Sequence, residues 1–366
     1  MECVGASLKR HGKFIDFVLG QWLVLVAGAG LVLSSVLARR LPAYSSQDLE
    51  VLLILLVLLV VVNGLQASGL VARIARGVEH ARAISVRLVL TTFFLSMLVT
   101  NDVALIVMVS LTLSLHLKHK DWLVILEALA ANAGSALTPI GNPQNLYLYW
   151  FYHLGPMVFM KTMAPFAFLG LALLLIAAHL VPNRCRMTES DSCQEVDSSA
   201  WGYAALLGVV LLTVFRILPV ATCLLILLGV ALVDRRALRV DYPLMVSFLF
   251  FFGMAENLKV LLASEMGHAG HVFVLSALAS QVMSNVPATL LFARFTENWH
   301  ALLWGVNVGG FGSLLGSLAN LIAYRMYLGA PDTEQAGRFT VRFLAAGYAA
   351  FCLSMGWYFL LYRPGL

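Results

Sequence analysis

The sequence predicts an all-α integral membrane protein, and three observations predict it. Of 366 residues, 60% are hydrophobic and only 12% charged, with a mean hydropathy of +0.87. A soluble domain carries roughly 25% charged residues and is about half apolar. The apolar residues fall into runs near the ~20 residues that a helix needs to cross a bilayer. Several runs hold Gly, Pro or Asn at their centres, where freed backbone groups survive only if protein or a polar cavity covers them. This composition excludes a cytosolic enzyme, a secreted disulfide scaffold and a nucleic-acid-binding module.

The first run, 15–37, follows Lys9, Arg10 and Lys13 and is too long for the apolar core of a signal peptide, so it reads as an uncleaved helix. Further spans are predicted at 50–66, 121–150, 157–181, 202–218, 220–234, 242–261, 300–328 and 339–362. Residues 68–82 carry charges on a short amphipathic stretch and suit the membrane interface. Two more runs, 84–117 and 271–293, are interrupted by Thr100-Asn101-Asp102 and Ser284-Asn285-Val286-Pro287. Each is either one crossing or a re-entrant hairpin. The hairpin reading moves Lys118, Lys120, Arg184, Arg186, Arg235, Arg236 and Arg239 inside, and only Lys161, Arg216 and Lys259 outside. Basic residues collect in cytoplasmic loops, so the bias favours two hairpins and about nine full crossings, with the N-terminus inside and the C-terminus outside. The net charge of +5 then concerns orientation and not an acidic partner.

The polar stretch around 183–201 lies near the midpoint and reads as a cytoplasmic linker between two halves. The first repeat is 1–182, with hairpin 84–117 and broken helix 121–150. The second is 202–366, with hairpin 271–293 and broken helix 300–328. The cysteines Cys3, Cys185, Cys193, Cys223 and Cys352 form neither a metal spacing nor an even disulfide framework.

An internal repeat carries the functional reading. NAGSALTPIGNPQN (132–145) and NVGGFGSLLGSLAN (307–320) share five positions at one spacing. After the first Asn (Asn132, Asn307), Gly follows by two (Gly134, Gly309) and a hydroxyl by six (Thr138, Ser313). Gly follows by nine (Gly141, Gly316) and Asn by thirteen (Asn145, Asn320). Each stretch comes after an interrupted run with Asn at its centre, so with hairpins on opposite sides the halves are inverted repeats. Such repeats place substrate and coupling ions near the bilayer midplane. Half-helix N-termini suit anions, while freed carbonyls and Asn or Thr oxygens suit small cations. The pairs Gly305/Gly309 and Gly312/Gly316, four residues apart, equally suit close helix packing.

The substrate-binding candidates at the tips are Thr100, Asn101, Ser284, Asn285 and Thr289. Those in the broken helices are Asn132, Thr138, Pro139, Asn142, Asn307 and Ser313. A sodium ion would draw on Asn101, Asp102, Gly134, Gly141 and Asn145 in the first half, and on Asn285, Gly309, Gly316 and Asn320 in the second. Carboxylates inside a membrane are rare and costly, which makes Asp102 and Glu127 the coupling candidates. Asp16, Asp121 and Asp241 sit at span ends and suit capping or solvation. Glu256 lies near the outer end of its span, and His268 and His271 lie in a predicted loop.

The motifs TNDVALIV (100–107), NAGSALTPIGNPQN, SNVPAT (284–289) and NVGGFGSLLGSLANLIA (307–323) resemble those of the ion transporter superfamily. That group holds citrate transporter-like proteins, arsenite permeases, divalent anion/sodium symporters and sodium/proton antiporters, and the chain is most similar to a bacterial inner-membrane branch of anion transporters. The resemblance spans roughly residues 50–325. It implies a scaffold domain, a moving transport domain of elevator type and a homodimer. It also implies hairpin tips bearing Ser-Asn-Thr motifs that bind substrate carboxylate and help hold sodium. Here the tips read Thr100-Asn101-Asp102 and Ser284-Asn285-Val286, so Asp and Val each replace the last Thr. A carboxylate at the first tip repels a dicarboxylate unless a cation or proton neutralises it.

The reading that results is a secondary active transporter of a small anion, coupled to sodium or protons, in the cytoplasmic membrane, with no covalent cofactor and no nucleic-acid partner. A sodium/proton antiporter using Asp102 is the alternative. An intramembrane enzyme lacks its HExxH or second mid-span Asp, and ATP drive lacks a Walker A pattern. A channel fits two opposed hairpins less well than alternating access does.

Overall fold

The computed structural model describes residues 22–77, 83–181, 197–261, 271–330 and 336–362. Among them are sixteen α-helices and no strand. The expected first span appears as α1 (Trp22–Ala38); Asp16, Cys3, Cys185, Cys193, His268 and most of the linker lie outside the described residues. Helix α2 (Ser46–Ala67) starts in a capping box. The Ser45 hydroxyl accepts from the Asp48 backbone N–H while the Asp48 carboxylate accepts from the Ser45 N–H. Gly69, at φ 79°, turns the chain into the short α3 (Leu70–Arg76), within the stretch read as amphipathic.

Each interrupted run is two helices. Residues 84–117 form α4 (Ile84–Val99) and α5 (Asn101–Ser114), which pack against each other and meet at Thr100. Residues 271–293 form α12 (Val272–Met283) and α13 (Asn285–Ala293), meeting at Ser284. Thr100 (φ 85°, ψ 150°) and Ser284 (φ 72°, ψ 157°) occupy the same backbone region, one that is essentially reserved for glycine. A side chain there costs of order 1–3 kcal/mol and persists only when its surroundings fix it.

The two Gly-broken spans are also split. The first is α6 (Lys120–Ser135) and α7 (Pro143–Phe151). Pro143 opens α7 with a fixed φ, and the Asn142 side chain caps it by accepting from the Asn145 N–H at 2.9 Å. The second is α14 (Trp299–Gly309) and α15 (Leu318–Leu328). The remaining helices are α8 (Pro156–His179), α9 (Ser199–Val214), α10 (Ala221–Val233), α11 (Tyr242–Leu261) and α16 (Ala336–Leu361).

Packing follows two groups. Helices α1, α2, α9, α10 and α11 pack among themselves. The second group pairs α4 and α5 with α6, α12 and α13 with α14, and covers them with α8 and α16. Its centre is α6 and α14, in which Leu123 to Ser135 and Ala301 to Gly309 are buried throughout. The halves interlock there: α15 packs on α5 and α6, and α7 packs on α13 and α14. The groups meet chiefly where α11 packs on α13 and α2 on α7.

Among the described residues, three helices are long and apolar enough to cross a membrane on their own: α2, α8 and α16. Six more apolar helices have 10–17 residues. Large apolar side chains such as Val32 (66% exposed), Leu225 (69%) and Leu360 (73%) face outward, the reverse of a soluble protein.

Candidate functional site

At the first tip, the Asn101 backbone N–H donates to the Gly141 carbonyl at 2.9 Å. At the second, the Asn285 N–H donates to the Gly316 carbonyl at 3.0 Å. Each tip thus docks onto the second glycine of the motif in its own half. The remaining contacts match too. Thr138 Oγ1 donates to the Met97 carbonyl at 2.8 Å, and Ser313 Oγ to the Gln281 carbonyl at 2.9 Å. Met97 and Gln281 both stand four residues before the tip Asn.

Two asparagine side chains staple the broken loops. Asn145 Nδ2 donates to the carbonyls of Ser135 (3.2 Å) and Thr138 (3.4 Å). Asn320 Nδ2 does the same for Gly310 (2.9 Å) and Ser313 (3.1 Å). These carbonyls belong to interrupted helix ends and need partners inside an apolar protein.

The halves then exchange bonds. Asn132 Nδ2 donates to Asn320 Oδ1 at 2.7 Å, and Asn307 Nδ2 donates to Asn145 Oδ1 at 2.8 Å. The first Asn of each motif therefore holds the last Asn of the other. Asn285 Nδ2 and Asn132 Oδ1 also lie 3.4 and 3.6 Å from where a side chain on Gly310 would begin. Asn101, Asn132, Asn145, Asn285, Asn307 and Asn320 are all buried, at 5% exposure or less.

The glycines permit this closeness. A Cβ on Gly134 would stand 2.2 Å from the Phe93 carbonyl oxygen, and one on Gly309 2.4 Å from Ser280 Cβ. Gly141 and Gly316 are equally closed, at 2.1 Å from the Ser135 oxygen and 2.6 Å from the Gly309 oxygen.

Eight helix ends surround the same region. Helices α5, α7, α13 and α15 begin there, turning N–H groups and positive dipole ends toward it. Helices α4, α6, α12 and α14 end there with their carbonyls. The polar groups there are Asn, Ser and Thr side chains, the Gln281 amide and backbone, with one carboxylate at the first tip. Asp102 lies in the first turn of α5; its N–H donates to Asn101 Oδ1 at 3.0 Å, and its Oδ1 is buried with no hydrogen-bond partner.

Other candidates have local duties. Asn142 Nδ2 donates to Ser135 Oγ at 3.2 Å while its oxygen caps α7, and Pro139 is buried in the loop between α6 and α7. Thr289 Oγ1 donates to the Asn285 carbonyl one turn back in α13. Glu127 is fully buried, with Oε1 accepting from Thr112 Oγ1 at 2.5 Å and Oε2 without a partner. Thr112 lies ten residues beyond Asp102 on α5, about 15 Å of helical rise. The structure thus brings the asparagines and motif glycines together and leaves Glu127 apart from the tips.

Of the acids read at span ends, Asp121 pairs with Arg342, and Asp241 Oδ1 accepts from the Leu244 N–H as a cap. Glu256 belongs to a charge network that the sequence reading missed. Arg294 Nη2 meets Asp48 Oδ1 and Oδ2 at 2.6 and 2.7 Å, and its Nη1 lies 3.5 Å from Glu256 Oε2. Arg40 donates to the Glu256 carbonyl (2.6 Å) and to Asn257 Oδ1 (3.1 Å). This network joins α2 and α11 to α13, across the meeting of the two groups. The capping pattern Ser45-x-x-Asp48 was a visible signal for Asp48, but nothing in sequence pairs it with Arg294. Gln281, whose side chain enters the second loop, was missed as well.

A family model described as citrate transporter matches residues 14–309. An uncharacterized transporter of Methanocaldococcus jannaschii is 35% identical over 276 residues, covering 71% of this chain and 75% of the relative. Inner membrane protein YbiR of Escherichia coli is 36% identical over 323 residues, covering 83% of this chain and 86% of the relative. A silicon efflux transporter of Oryza sativa subsp. japonica is 33% identical over 138 residues, 36% of this chain and 28% of that protein. Two of these relatives are named transporters, and the chain belongs to the citrate transporter family, a family of transporters and not enzymes.

Proposed function

We propose that the protein is a secondary active transporter of a small anion, coupled to sodium or protons and working by alternating access in the cytoplasmic membrane. The observation that carries this reading is the set of eight helix ends joined by reciprocal asparagine bonds between the halves. Helix N-termini and amide N–H groups favour an anion, while interrupted-helix carbonyls and the Asp102 carboxylate favour a cation beside it.

The matching contacts support two repeats, 1–182 and 202–366, joined by the linker 183–201. Helices of 14 and 16 residues, such as α5 and α4, rise about 21 and 24 Å, short of the ~30 Å hydrocarbon core. That supports re-entrant hairpins, inverted topology and about nine full crossings, with the N-terminus inside and the C-terminus outside. The group around α6 and α14 is then the moving body and the group around α2 and α11 the scaffold, through which an elevator-type homodimer would form. In this topology Arg40, Asp48, Glu256 and Arg294 lie together on the outer side.

Asp102 beside the tip disfavours a dicarboxylate and suits a monovalent anion or oxyanion accompanied by a cation. The buried, unpartnered Asp102 oxygen also favours a second reading, a sodium/proton antiporter, in which sodium moves without any anion.

Asn101→Ala and Asn285→Ala are expected to abolish transport and leave folding largely intact. Losing a buried hydrogen-bonding partner costs about 1–3 kcal/mol, enough to impair binding without unfolding a large bundle. Uptake in proteoliposomes, with thermal unfolding measured in parallel, checks this. Equal losses of stability and activity would assign the asparagines to architecture alone. A thermal-shift screen of anions with and without sodium identifies the substrate, since ligands that bind the folded state stabilise it.

A further inference from the structure

We propose that Gly310 keeps open a place for a hydroxyl group of the substrate, so that the transported ion is a small anion that still carries an O–H, a protonated oxyanion or a hydroxy acid. This deepens the functional reading above and rests on it.

Gly310 differs from the motif glycines in what its place requires. Its backbone is right-handed helical (φ −65°, ψ −22°), a conformation open to any residue. Cβ atoms on Gly134, Gly141, Gly309 and Gly316 would collide with atoms between 2.1 and 2.6 Å away. One on Gly310 would meet the Asn307 carbonyl at 3.1 Å, three residues back in its own turn, and otherwise only two side-chain amides at ordinary contact distance. Neither backbone nor packing calls for glycine there, and glycine costs more chain entropy on folding than alanine.

The two amides face the missing side chain with opposite polarity. Asn285 Nδ2, a donor, lies 3.4 Å from the Cβ position, and Asn132 Oδ1, an acceptor, 3.6 Å from it. Asn132 is held in that orientation because its Nδ2 is spent on the Ala128 carbonyl and on Asn320 Oδ1. Among the described residues neither Asn285 Nδ2 nor Asn132 Oδ1 has a hydrogen-bond partner, although the two residues are only 4% and 5% exposed. Buried polar atoms are nearly always paired, so this donor and this acceptor fit a group that serves both. A hydroxyl accepts from one and donates to the other, whereas a sulfate, nitrate or carboxylate oxygen only accepts. The place also lies at the carbonyl end of α14, where the helix dipole favours a proton donor over bare negative charge.

The first half has its matching place filled. Ser135 corresponds to Gly310, three residues after the first motif Asn, and its hydroxyl is engaged within its own loop. It donates to the Asn132 carbonyl at 3.2 Å and accepts from Asn142 Nδ2 at 3.2 Å. The second half has Ser317 where the first has Asn142. The hydroxyl place is therefore single, and it belongs to the Asn285 tip and not to the tip that carries Asp102.

The test is thermal unfolding of the purified full-length chain in detergent with three pairs of sodium salts at neutral pH and constant ionic strength. Each pair matches shape and differs in the hydroxyl: phosphate against sulfate, bicarbonate against nitrate, glycolate against acetate. In the wild type at least one hydroxyl-bearing member should raise the midpoint saturably. Its twin should bind about a hundredfold more weakly, because it leaves the buried amide groups unpaired. Gly310→Ala should keep the wild-type midpoint or exceed it, and lose that response. Gly310→Ser, which supplies a hydroxyl of its own beside the amides, should do the same. Equal responses within every pair, or a hydroxyl response that survives both substitutions, would overturn the proposal. Midpoints that fall in both variants would overturn it too, by assigning Gly310 to packing. A response to sulfate, nitrate or acetate that Gly310→Ala removes would overturn the hydroxyl alone and leave anion transport standing. If none of the six salts stabilises the wild type, the anion reading fails and the proposal with it.

Discussion

Thr100 and Ser284 adopt nearly the same strained backbone although they stand in different halves and differ in side chain. What fixes them is local: the next residue is an Asn whose N–H is captured by a glycine carbonyl. Substituting those glycine pairs tests how tight the arrangement is. Gly134→Ala and Gly309→Ala place a methyl 2.2 Å from the Phe93 oxygen and 2.4 Å from Ser280 Cβ, where helix backbones meet and little can yield. Overpacking of this kind costs about 1–3 kcal/mol, and more when backbone is the obstacle. Both variants should show lower thermal midpoints and impaired uptake, whereas Gly208→Ala, with nothing within 4 Å, should match wild type. The motif spacing announced these residues, because glycine and asparagine inside an apolar run are conspicuous. Gln281 was not legible, since one glutamine in a helix carries no sign of the loop it reaches, and Asn142 looked like a ligand when its neighbour Pro143 already marked a helix start.

At the level of elements, the sequence delimited the helices closely, because charges and breakers punctuate nearly continuous apolar runs. Residues 84–117 and 271–293 divide where Asn-Asp and Asn-Val-Pro fall, and 121–150 and 300–328 divide at their glycines. Pairing between elements was out of reach, as it depends on three-dimensional meetings such as α13 with α2. The Arg294–Asp48 contact is the clearest instance. Asp48 is 2% exposed, and Arg294 is its charge-assisted partner with two short bonds. Removing one member leaves a buried charge alone, which typically costs about 3–5 kcal/mol. Arg294→Met should therefore lower stability far more than the double variant Asp48→Asn/Arg294→Met, a non-additivity that a double-mutant cycle in chemical denaturation reads directly. If the two losses are equal, the contact contributes little and the groups are held together elsewhere. If the proposed alternating access moves one group of helices against the other, this pair bridges the two, and the double variant should then also shift the balance of inward and outward states.

Taken as a whole, the molecule places an anion-favouring set of helix N-termini and a cation-favouring acid at the meeting of two matched halves. Family membership and transport are legible from the motifs, because the chemistry of broken helices is shared across the superfamily. The ion is not, because it depends on a few side chains whose spacing only a fold defines. The central claim is that Asp102 links the driving cation to substrate movement. An ionised carboxylate at membrane depth is costly without a neutralising partner, which is why the proposed function assigns Asp102 a cation or proton alongside the anion. The decisive measurement is uptake in proteoliposomes under imposed sodium or proton gradients, comparing wild type with Asp102→Asn, which is nearly isosteric and permanently neutral. The variant should lose concentrative uptake and its dependence on sodium or pH, while counterflow exchange of substrate persists. A variant that still concentrates substrate with unchanged sodium and pH dependence would contradict the account and pass the coupling role to Glu127.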